Sequence, residues 1–279
     1  GRRKWPFERA INRRGRQRYS GIGKNDAAFR HSVRRLDGGA EIAEPCRPRH
    51  ETGRDIAAEF GADRHQHGLV VVAMGRSACF HSPDAAERAR NLDSALRMAE
   101  IAAGLNAPAI RVFGDRIQPG STREQTAGQI ADSLTRLADK LKPSGVQVWL
   151  ETHGDFARAA DVAEIFAQIG NSNVGIIWDP ANAFEQNGES PQLLQSISSH
   201  VHHVHLKDMK RDAQRAFHYV PTGEGDFPFD TMFAALAVVN FDGFASFEWE
   251  KLWHPELADP EIALPHFIHW WKSREAVSC

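Results

Sequence analysis

From residue 68 onward, short runs of β-branched and aromatic residues alternate with longer stretches of helical period, and this constrains the fold more than any other feature. Repeated βα units bury their strands in a parallel sheet covered by helices. Strands are expected at 68–74, 109–113, 146–151, 174–179, 201–207 and 244–250. Helices are expected at about 83–105, 122–141, 157–169, 190–199, 229–239 and 261–273. Ser82-Pro83-Asp84 offers an N-cap with Pro in the first turn, and Ser121 with Glu124 reads as a capping box. A seventh strand is expected at 39–43, after a helix ending near Leu36, and the eighth must lie in residues 1–35, where none is recognisable.

The chain has 279 residues, and a (β/α)8 barrel takes about 250. The expected architecture is therefore α/β, a (β/α)8 TIM barrel with a weak or irregular first βα unit: residues 1–35 form a basic N-terminal segment and 36–279 a single barrel domain. A doubly wound open sheet would instead put a Gly-rich phosphate turn after an early strand, and neither G-x-G-x-x-G nor a P-loop string occurs.

Charge and cysteine usage narrow the function classes. Residues 1–50 hold 14 Lys+Arg and 5 Asp+Glu, whereas the remainder holds 20 against 31. The run Arg13, Arg14, Arg16 and Arg18 reads either as a nucleic-acid arm or as a basic tail, while the acidic remainder argues against nucleic acid as the main partner. Three scattered cysteines without C-x-x-C make neither a disulfide framework nor a zinc module, so a reducing, cytoplasmic setting is expected. The longest apolar stretch, 69–74, is far below the roughly 20 residues of a membrane span.

Four of the last strands run into metal-ligand residue types: Glu151, Asp179, His205 and Glu248. Strand C-termini of a parallel barrel open on one face, so these side chains should converge. Two glutamates, an aspartate and an imidazole make a hard, oxygen-rich site of charge −3. Such a set suits Mn²⁺ first, with Mg²⁺ or Co²⁺ as alternatives, and a cation explains how three carboxylates coexist.

At these residues the chain resembles the sugar phosphate isomerase/epimerase family, the xylose isomerase-like barrels that include endonuclease IV. The strings are Trp149-Leu-Glu-Thr-His-Gly154, Gly175-Ile-Ile-Trp-Asp-Pro-Ala-Asn182, His203-Val-His-Leu-Lys-Asp208, Thr222-Gly-Glu-Gly-Asp226 and Asp242-Gly-Phe-Ala-Ser-Phe-Glu248. The resemblance implies one divalent metal, Mn²⁺ or alternatively Mg²⁺, Co²⁺ or Zn²⁺, held by Glu151, Asp179, His205 and Glu248. It further implies that Glu151 and Glu248 are catalytic, removing and returning a proton through a metal-stabilised enediolate of a small polyhydroxylated carbonyl substrate. Members often form homodimers or homotetramers. Arg211 matches a substrate-binding arginine of the ketose 3-epimerase branch, whereas Asn182 stands where the family often has an acid–base histidine.

Other residues read as pocket candidates. His153 shares the inward parity of Glu151, and Lys207 that of His205, so each can meet substrate. Arg111, inside a strand, must either pair with a pocket carboxylate or reach substrate. Glu224, in Gly223-Glu224-Gly225, lies in a loop that reads as a backbone phosphate site or as a plain turn. Glu250 rivals Glu248 as the eighth-strand ligand. The leading function is a metal-dependent sugar isomerase or epimerase. The alternatives are a dehydratase on the same site, an abasic-site endonuclease and a non-catalytic sugar-binding barrel.

Overall fold

The computed structural model describes residues 70–170 and 173–277. Six strands form one parallel, curled sheet: β1 (Met74–Cys79), β2 (Ala109–Phe113), β3 (Gln147–Glu151), β4 (Val174–Trp178), β5 (Val201–Leu206) and β8 (Phe244–Phe247), in the order β1-β2-β3-β4-β5-β8. Between β5 and β8 an antiparallel hairpin, β6 (Asp208–Arg211) with β7 (Phe217–Val220), stands apart from the wall. The helices are α1 (Ala85–Gly104), α2 (Arg123–Leu141), α3 (Ala159–Phe166), α4 (Pro180–Asn187), α5 (Phe229–Val238) and α6 (Pro260–Val277). The expected strand at 39–43 and the basic segment 1–35 lie outside the described residues. No helix among the described residues is long and apolar enough to cross a membrane.

Period-two alternation sorts the sheet into two faces. Ile110, Val112, Val148, Leu150, Ile176, Val204 and Leu206 join the large core under the helices. The alternate residues Ala109, Trp149 and Ile177 form a separate inner layer, against which Val72 and Ala73 pack. The first described strand is Met74–Cys79, where 68–74 was expected; of that range 68–69 lie outside the described residues, Val72 and Ala73 pack on the inner layer, and pairing starts with Met74 opposite Ile110. Gly175 makes room for the inner layer, because a Cβ there would meet Trp149 Cδ1 at 2.7 Å. The register of β4 and β5 shifts at Ile176 and Ile177, so His202 is the extra residue and His203, not His202, lies opposite Ile177.

Helix caps sit one or two residues later than expected. Asp84, not Ser82, caps α1 through Ala86 N, and the capping box of α2 is Thr122 with Gln125 rather than Ser121 with Glu124. The segment expected to be a helix at 190–199 is two 3₁₀ turns, Pro191–Ser196 and Ser198–His200. Its buried residues Pro191, Leu194 and Ile197 recur every third position, the 3₁₀ period.

Candidate metal centre

Each βα junction delivers one polar side chain to the same rim. Glu151 ends β3, Asp179 follows β4, His205 is the fifth residue of β5 and Glu248 follows β8. One ligand atom from each lies within 4.8 Å of the others. His205 Nδ1 is 3.6 Å from Glu151 Oε1, 4.0 Å from Asp179 Oδ2 and 3.5 Å from Glu248 Oε1. Glu250 does not join this set: its carboxylate takes Lys207 Nζ at 3.1 Å and the Tyr219 hydroxyl at 3.3 Å.

Local structure holds each ligand. Asp179 is the N-cap of α4, its Oδ1 accepting from Ala181 N and Asn182 N, so its Oδ2 faces the cluster. Thr152 Oγ1 accepts from Asp179 N at 2.7 Å, and Asn182 Nδ2 donates to Thr152 O at 2.9 Å, tying the ends of β3 and β4 together. Asn182 thus replaces an acid–base group with a strut. The helix it sits on was not among the expected ones, although Asp179-Pro180 at its start and Gly188 after its end carry the signal.

Two cations, the half-buried Arg111 and the buried Lys207, balance the carboxylates. Arg111 Nη1 donates to Glu151 Oε2 at 3.0 Å, and Lys207 Nζ donates to Glu248 Oε2 at 3.0 Å. Lys207 also lies 2.8 Å from Asp179 Oδ2, an ion pair without hydrogen-bond geometry. Four carboxylates against these two cations leave a charge of −2 with His205 neutral. Burial raises the Asp179 carboxyl against the pull of Lys207. Burial opposes ionisation of Glu151 and Glu248 too, yet His205 with Arg111 for the first, and Lys207 with His205 for the second, hold both below the usual range. Burial disfavours charge on His205, but Glu248 and Glu151 outweigh it and lift the imidazole to about 9.

The donor set fits a divalent cation. His205 Nδ1 is buried without a hydrogen-bond partner while facing three carboxylates at 3.5–4.0 Å. An ion about 2.1 Å from each ligand separates its ligand atoms by roughly 3 to 4.2 Å. The residual charge of −2 is what such an ion neutralises.

The remaining candidates are placed as follows. His153 lines a cavity of about 410 Å³ together with Arg116, Asn182, Glu185, Tyr219 and Glu250, a wall that adjoins the cluster through Glu250 and Lys207. Of that wall, Tyr219 belongs to the hairpin, which left no periodic signal to find it by. Arg211 is exposed on the hairpin, its guanidinium 4.2 Å from the Phe217 ring centre. Glu224 is exposed and lies 3.8 Å from His266 of α6. The phosphate reading of its loop is corrected: Gly223 N and Gly225 N donate to Asp208 Oδ2 at 2.8 and 3.0 Å, so these amides are already engaged.

Residues 34–273 match the xylose isomerase-like TIM barrel family. A 2-oxo-tetronate isomerase of Pectobacterium atrosepticum is 28% identical over 186 residues, 64% of this chain and 67% of the relative. An inosose dehydratase of Clostridium perfringens is 24% identical over 152 residues, and the alignment spans about half of each chain, 49% of both. Among solved structures, the IOLI protein with a binding zinc atom superposes with a TM-score of 0.66 at 20% identity, covering 79% of this chain and 80% of that one. A match over this much of the sequence, on a curled parallel sheet of the same kind, makes the chain a member of the xylose isomerase-like TIM barrel family.

Proposed function

We propose that the chain is a divalent-metal-dependent isomerase or epimerase of a small polyhydroxylated carbonyl compound, such as a four-carbon keto acid. The observation that carries this reading is the unsatisfied His205 Nδ1 set among Glu151, Asp179 and Glu248. The 2-oxo-tetronate isomerase relative supports the substrate size and class. When bound, the metal supplies Lewis-acid polarisation of the substrate carbonyl.

Glu151 and Glu248 flank His205 from different strands, each with Oε1 turned to its Nδ1 and Oε2 held by a cation. Both are held ionised, so either can take the proton from the carbon beside the carbonyl and, protonated by that step, hand the same proton back to the adjacent carbon. Arg111 and Lys207 orient these carboxylates, so Lys207 acts through Glu248 rather than on substrate. His153 and Tyr219, on the cavity wall, are placed to hydrogen-bond substrate hydroxyls. The engaged amides of Gly223 and Gly225 argue for an unphosphorylated substrate at that loop.

The test is Mn²⁺-dependent turnover of 2-oxo-tetronate in deuterated water, with substrate and product followed by NMR. Deuterium at the carbon beside the carbonyl, lost in both Glu151→Gln and Glu248→Gln, is expected. Exchange retained in both variants, or no divalent metal bound at all, overturns the reading. The dehydratase relatives favour a second reading on the same residues, in which proton removal is followed by expulsion of a β-hydroxyl. Dehydrated product instead of exchange selects it.

A further inference from the structure

A second group of metal-ligand side chains stands on the same rim and takes no part in the chemistry above. Cys79 ends β1, His81 follows it by two residues, and Asp115 follows the end of β2 by two. One ligand atom from each of the three lies within 4.8 Å of the others. His81 Nδ1 is 3.8 Å from Asp115 Oδ2, too long for a hydrogen bond, and it is buried without any partner. The thiol is no better satisfied: Cys79 Sγ meets only Ser77 O at 4.0 Å.

The backbone is bent to make this grouping. Asp115 has φ 63°, a left-handed conformation that costs a non-glycine residue energy. It is held there by the neighbouring βα loop, whose Asp155 N donates to Asp115 O at 2.9 Å. Gly154, itself at φ 59°, allows that approach, since a Cβ there would sit 2.5 Å from Asp115 O. The other oxygen of Asp115 faces the cavity side, where His153 Nδ1 lies 3.4 Å from Oδ1, likewise buried and unpartnered.

We infer that Cys79, His81 and Asp115 form a second, separate metal site that takes a borderline-soft divalent ion of the zinc class. One sulfur, one nitrogen and one carboxylate oxygen are the ligand types of a three-ligand zinc site with a fourth position left open. The thiolate separates it in preference from the Glu151–Glu248 cluster, whose single nitrogen and carboxylate oxygens suit harder ions. Asp115 then links the second ion to His153, fixing that imidazole at the cavity wall from outside the first cluster. The inference does not depend on the reaction proposed above.

The experiment uses the full chain carrying Cys46→Ser and Cys279→Ser, so that Cys79 is the only thiol, stripped with chelator and titrated with Co²⁺. Two equivalents per chain are expected, one of them producing a near-ultraviolet thiolate-to-cobalt charge-transfer band. Cys79→Ser and His81→Ala should each bind one equivalent without the band, the retained equivalent reporting an intact barrel. His205→Ala should bind one equivalent with the band. A single equivalent without a thiolate band in the parent chain, or a band undiminished by His81→Ala, overturns the inference.

Discussion

Two buried charged centres sit side by side in this molecule and differ in one respect. Asp208 is enclosed by its own loop: Met209 N and Phe227 N donate to Oδ1, and Gly223 N and Gly225 N to Oδ2. One residue earlier, Lys207 belongs to the Glu151–Asp179–His205–Glu248 cluster, where a buried imidazole nitrogen has no partner and charge remains unbalanced. A buried polar group that is fully satisfied holds structure, and one left unsatisfied points to something the protein binds. Neighbouring charges in one HLKD string thus serve different ends.

The largest separation between the centres is expected in turnover. Glu151→Gln or Glu248→Gln should lower kcat by about 10²- to 10⁴-fold, the range for loss of a positioned acid–base group. Steady-state rates at saturating Mn²⁺ check this, and Asp208→Asn should leave kcat within a few-fold. The order reverses for stability. Asp208→Ala strands four backbone donors and should cost about 3–5 kcal/mol in urea unfolding, whereas Glu248→Gln leaves Lys207 paired with Asp179 and Glu250 and should cost less.

Arg111→Met sharpens the contrast within the cluster. It leaves Glu151 buried without its cation, which should cost about 3 kcal/mol in the metal-free chain. Saturating Mn²⁺ should restore much of that, because a bound ion then supplies the missing charge. A thermal melt with and without metal distinguishes the two states.

The pH dependence follows from His205, whose pKa rises from 6.5 unfolded to about 9 folded in the metal-free chain. Its stabilisation is complete below pH 6.5 and is lost as pH rises through 9. Metal binding needs the neutral imidazole, so affinity should instead rise over the same window. Denaturation and Mn²⁺ titration at pH 6.5, 8 and 9 should show opposite slopes. The smallest effect belongs to the scaffold: Thr122→Ala removes the N-cap of α2 and should cost about 1 kcal/mol with no change in rate.

Much of this arrangement was legible before any coordinates. β2 was expected residue for residue, and β3, β4, β5 and β8 to within a few residues at their ends; β3 and β4, buried on both faces, read as nearly continuous apolar runs. The junction residues Glu151, Asp179, His205 and Glu248 stood out as polar ends to such runs. The hairpin Asp208–Val220 did not, since its two four-residue strands are too short to show an apolar alternation, and with it went Tyr219 on the cavity wall.

Local sequence therefore determined which residues become strands and which polar groups sit at their ends, since both depend on patterns of two to four residues. Only tertiary structure decided the partners. Lys207 read by its parity as a residue that can meet substrate and lies instead against Asp179, Glu248 and Glu250. Gly223 and Gly225 were open to a phosphate and are taken by Asp208. Cys79, His81 and Asp115 had no common motif at all, and a left-handed residue braced by the next loop brings them together. Such choices depend on how far one βα junction lies from the next across the rim, a distance set by curvature and register of the whole sheet rather than by any stretch of chain.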